Sequence, residues 1–61
     1  MPRDPYIRMK FTRDLSDARK VAREYFLQYP KNLYDTEVES WSVIQSGNIE
    51  FTMKRLRQPK Q

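Results

Sequence analysis

From Tyr6 to Thr12 apolar and polar side chains alternate: Ile7, Met9 and Phe11 fall on one parity, and Tyr6, Arg8, Lys10 and Thr12 on the other. A period of two is that of a half-buried strand. From Leu15 the period changes. Leu15, Ala18, Val21, Ala22, Tyr25, Phe26 and Tyr29 recur at threes and fours, with Arg19, Lys20, Arg23, Glu24 and Gln28 opposite them, which predicts an amphipathic helix. Asp14 or Ser16 can cap its free amides, and Asp17 suits the positive end of the helix dipole. Pro30 forces its predecessor out of helical geometry, so the helix should end near Tyr29. Lys31 to Asp35 carries no strong signal and reads as a loop.

Thr36 to Gln45 reads as a second strand and Ile49 to Leu56 as a third. Between them, Ser46-Gly47-Asn48 holds the only glycine of the chain, where a tight hairpin needs positive φ. A turn there places Val43 opposite Ile49 and Trp41 opposite Phe51, and sets Trp41, Val43, Ile49, Phe51 and Met53 beneath the helix. Trp41 is then expected in the core, against Val21, Ala22 and Tyr25. Glu37 and Glu39 share its parity. Either the strand projects beyond the helix there, or a bulge near Ser40 resets the phase.

These elements define an α+β fold: a small β-α-β-β domain, a three-stranded sheet with one helix packed on one face. Residues 1–61 form a single domain, with 1–5 a loose N-terminal lead-in around Pro2 and Pro5, and 57–61 a frayed basic tail. The third strand lies either between the other two, antiparallel to both, or outside the second; the central place is favoured, because it sets Arg8 and Lys10 beside Thr52 and Lys54. One helix covers one face, so the other stays open.

At 61 residues such a chain buries only about 60% of the surface its unfolded form exposes. Domains this small usually rely on a staple, and there is no cysteine to supply a disulfide. Oligomerisation or docking on a partner is the expected extra source of stability. No apolar run approaches the roughly 20 residues of a membrane span, and MPRDP lacks a signal-peptide apolar region. A cytoplasmic or otherwise intracellular protein is the expectation.

Charge is unevenly laid out within a formal net of +4. From Asp35 to Glu50 the charged residues are all acids, and from Lys54 onward all are bases. Histidine is absent, so acid–base work would fall to carboxylates, tyrosines or lysines. The serines have no base in a recognisable arrangement, and one glycine builds no phosphate-cradling loop. No catalytic residue, cofactor site or metal site is therefore assigned. Asp35, Glu37 and Glu39 could share a strand face toward a hard cation, but the later bidentate ligand of a calcium loop is missing.

Binding is the better expectation. Tyr6, Arg8, Lys10, Thr52, Lys54, Arg55 and Arg57, on the open sheet face and tail, are the candidate partner-binding residues. The leading reading is a non-enzymatic module that binds another protein, as a regulator, inhibitor or accessory subunit. The alternative is a module for RNA or single-stranded DNA, with Tyr6 as a stacking platform and the bases on phosphates. What separates the two is whether Arg8, Lys10, Lys54 and Arg55 form one continuous basic surface or are broken by acids. A homo-oligomer is a further option, and no membrane partner is expected.

Two pattern resemblances accompany this reading. Trp41, Val43 and the FTMKR run of Phe51 to Arg55 resemble the last two strands of dodecins, small flavin-binding oligomers. That resemblance covers about half the chain. It departs from the family at Thr12-Arg13-Asp14 and in the short final loop, so no flavin contact is carried over. The DLSDARKVAREYF helix between basic strands is similar to a small phage inhibitor of host RNA polymerase, a resemblance of size and element order alone. It implies that such a fold can act by docking on a large partner.

Overall fold

The structure, a computed structural model, describes residues 4–60. The chain runs β1 (Tyr6–Arg13), α1 (Leu15–Gln28), α2 (Lys31–Tyr34), β2 (Glu37–Val43) and β3 (Ile49–Leu56). The sheet order is β1-β3-β2, with β3 antiparallel to both neighbours. This is the expected α+β fold, and the expected central third strand.

Local chemistry explains the boundaries. Asp14 caps α1, its carboxylate accepting from the Asp17 amide at 2.8 Å. Tyr29 closes it, as Pro30 requires. The segment 31–35, read as a loop, is instead a single helical turn ended by Asp35 in the left-handed region at φ 52°. The single Pro30 carbonyl accepts from the Leu33 and Tyr34 amides at 3.0 and 2.9 Å. A four-residue turn has too few periodic positions to be seen in a hydrophobic pattern.

Gly47 turns the β2–β3 hairpin at φ 87°, and the register pairs Val43 with Ile49 and Trp41 with Phe51 as expected. A bulge between Val38 and Ser40 shifts the pairing. Of the two alternatives for Glu37 and Glu39, the bulge is the one realised. Val38 and Trp41 both reach the helix side, and the two glutamates meet bases on the open face.

The core lies between α1 and the β1–β3 half of the sheet. Met53 is fully buried, with Phe51, Tyr25 and Ala18 nearly so; Phe11, Val21, Ala22, Phe26, Tyr29 and Ile49 pack around them. Phe11 stacks on Phe51 at 5.3 Å and meets the edge of Tyr25 at 6.2 Å. Trp41 corrects its expectation: it is 66% exposed. A helix about 10 Å across spans two strands spaced about 4.8 Å apart. Here α1 packs on β1 and β3, so the inner face of β2 stays open.

The ends of the described chain are tied. Arg57 N–H donates to the Pro5 carbonyl at 3.0 Å, and Lys60 N–H to that of Leu33 at 2.7 Å. Lys60 Nζ also reaches Asp35 Oδ1 at 2.6 Å. Residues 57–60 are thus exposed yet anchored, where the charge run had predicted fraying; residues 1–3 and 61 lie outside the described part. No helix of the described residues is long and apolar enough to cross a membrane.

Candidate functional site

On the open sheet face, ladder register sets Arg8 directly opposite Lys54, and Lys10 opposite Thr52. Two like charges face to face would repel. Carboxylates from three segments interleave with them. Arg8 Nε donates to both oxygens of Glu39 at 2.9 Å, and its Nη1 donates to Asp4. Lys54 Nζ lies 3.1 Å from Glu37 and Lys10 Nζ 3.4 Å from Glu50. Lys54 also sits 4.5 Å above the Tyr6 ring, taking that aromatic face for itself.

The protonation equilibria carry the same signature. The Asp4 carboxyl is held below the usual aspartate range, first by the Tyr6 amide it accepts from and then by Arg8. Arg8 is raised by its bonds to Glu39 and Asp4. Lys54 is raised by Glu37. Opposite charges stabilise the ionised forms, so the face is a charge lattice satisfied from within.

Of the seven candidate binding residues, Tyr6, Arg8, Lys10, Thr52 and Lys54 gather on this face. Arg55 does not join them. It lies on the helix side, its guanidinium 3.9 Å over the Tyr29 ring and 5.8 Å from that of Tyr34. Arg57 is exposed beyond the end of β3. The basic surface is therefore interrupted by acids and split between two faces. Asp35, Glu37 and Glu39, weighed for a cation, each hold a lysine or arginine instead.

The unsatisfied surface is on the other side. Between α1 and β2 runs a groove of about 400 Å³. Leu15, Ala18 and Ala22 form its helix wall, Val38 and Trp41 its strand wall, and Ile49 and Phe51 its floor. Arg19 is the one charged lining residue. Leu15 at 55% and Val43 at 63% exposure extend the apolar area. Parity had put Trp41 and Val43 beneath the helix, which is correct for the side but not for the cover. What was missed is the lateral position of the helix. The clue was the order β1-β3-β2, which makes β2 the strand farthest from the β1–α1 connection.

Comparison with protein-family models gave no match, and neither the curated proteins nor the solved structures gave a significant one. Neither pattern resemblance gains support from them.

Proposed function

We propose that this protein is a non-enzymatic module that binds another protein, as a small regulator or accessory subunit, and that it does so through the α1–β2 groove. The observation that carries this reading is Trp41, 66% exposed on the wall of a groove floored by Ile49 and Phe51. Contiguous exposed apolar surface costs solubility, and on small domains it commonly marks a docking site. A tryptophan beside an apolar recess is the type of residue that anchors interfaces.

The alternative, nucleic-acid binding on the open sheet face, is disfavoured by the pairing there. Arg8, Lys10 and Lys54 each already hold a carboxylate, so phosphates would have to displace short ion pairs to engage them.

Selection from an unbiased displayed peptide library, with the nuclease-treated protein as bait, tests the reading. The expected result is enriched peptides that quench or shift Trp41 emission and fail to bind Trp41→Ala. Absence of any Trp41-dependent peptide, with retention of nucleic acid by the untreated protein, would reverse the ranking.

A further inference from the structure

The helix above the groove is electrically lopsided. Leu15, Ala18, Arg19 and Ala22 face the groove beside β2, whereas Val21, Glu24, Tyr25 and Gln28 face a separate cleft beside β1 with Met9 and Phe11. Continuing around α1 from Arg19, away from the core, Ser16, Lys20 and Arg23 line one exposed surface. Their spacing of three, four and seven residues makes this row a continuous stripe along one helix face.

Arg19, Lys20 and Arg23 have no carboxylate in salt-bridge range among the described residues. The contrast with the sheet face is pronounced: there Arg8, Lys10 and Lys54 are each paired. The groove is therefore apolar at its floor and strand wall, and positive along its helix rim. β2, sequence EVESWSV, contributes no base to the opposite wall.

We infer that the groove receives an acidic amphipathic segment of a partner protein, with apolar side chains against Trp41, Val38 and Ile49 and carboxylates along Arg19 and Arg23. This rests on the functional reading above and narrows it to a partner chemistry. Desolvated apolar contacts supply affinity, and the rim charges supply orientation and attraction at a distance. A nucleic acid fits less well, because bases line one wall only while the other wall and floor are apolar. A second copy docked groove to groove offers that rim no carboxylate from its own groove lining, whose one charged residue is Arg19.

The test is a titration of the full chain with synthetic helical peptides of about 16 residues, roughly four turns. One carries leucines at spacings of three and four flanked by glutamates. A second has lysine in place of each glutamate, and a third has serine in place of each leucine. Trp41 is the only tryptophan, so its emission reports occupancy of the groove directly. The acidic peptide is expected to saturate with a blue shift. The lysine and serine versions should bind at least about tenfold more weakly, and added salt should weaken the acidic one. The double variant Arg19→Glu/Arg23→Glu, with its fold checked by circular dichroism, should prefer the lysine peptide.

Equal binding of the acidic and lysine peptides, or a preference unmoved by the double variant, sinks the acidic assignment while leaving the groove as a protein site. A Trp41 shift produced by an oligothymidylate and by none of the peptides sinks both. So does burial of Trp41 by self-association, seen in sedimentation without peptide.

Discussion

Two aromatic residues that face each other across one ladder rung, Trp41 and Phe51, have opposite roles. Phe51 is 4% exposed and stacked on Phe11; Trp41 stands outside the helix cover. Phe51→Ala is expected to cost about 3–5 kcal/mol, a cavity in a core of few large residues. Trp41→Ala should stay within roughly 1 kcal/mol of the parent. Urea unfolding of the pair reads the difference, and a larger loss at Trp41 would return it to the core. Asp4 offers a second residue-level test. Its folded pKa is lowered, so its contribution to stability is present above the ordinary aspartate value and lost as pH falls through the folded one. Arg8 and Lys54 are raised, so theirs are lost only in strong alkali. Carboxyl NMR titration should place Asp4 below the usual range. In Arg8→Gln it should recover only partway, because the Tyr6 amide is the larger cause.

At the scale of elements, α1 depends on its ends. Fourteen residues are near the length at which an isolated helix is marginal in water, so capping and the C-terminal anchor matter. The Asp14 carboxylate satisfies the Asp17 amide, and Asp14→Ala should lower stability by about 1 kcal/mol in chemical denaturation. Asp14→Ser or Asp14→Asn should recover most of it. At the other end, Thr36 is fully buried and donates its hydroxyl to the Tyr29 carbonyl at 2.6 Å. This bond ties the C-cap carbonyl of α1 to the entry of β2, across the α2 turn.

As a whole the molecule is thin: its Cα frame measures 40 × 28 × 10 Å. One helix on one sheet gives a single shallow core, and of three strands one, β2, is left without cover. The proposed occupant of the groove would supply that cover. Melting temperature should therefore rise with the acidic peptide as saturation is exceeded, by the mass-action linkage that yields about 2.7 kcal/mol at a hundredfold excess over Kd. Without peptide, a melt that rises with protein concentration would point to self-association on the same face. A peptide that binds at Trp41 yet leaves the melt unchanged would contradict the linkage.

The identity and order of the main elements followed from periodicity, because side-chain alternation and the three-four stripe are fixed by backbone geometry whatever the tertiary surroundings. Asp14, Pro30 and Gly47 set boundaries through local bonds and local φ, so they too were legible. The hairpin register followed from Gly47, but the hairpin alone lets β3 lie on either side of β2, and its pairing with β1 decides the central place. What the linear pattern left open was lateral: which strands the helix covers, and therefore whether an inward-facing side chain is buried. Parity assigns Trp41 to a face, but only the packing of α1 over β1 and β3 leaves it uncovered. The same holds for charge. Glu37, Glu39 and Glu50 each lie far in sequence from the base they meet, yet the sheet sets Glu37 opposite Lys54, Glu50 diagonally from Lys10, and Glu39 across β3 from Arg8. Pairing cancelled the charge of the sheet face and left Arg19, Lys20 and Arg23 without carboxylates on the exposed face of α1, because neutralisation depends on which side chains the fold brings within a few ångströms, and sequence distance carries no such information.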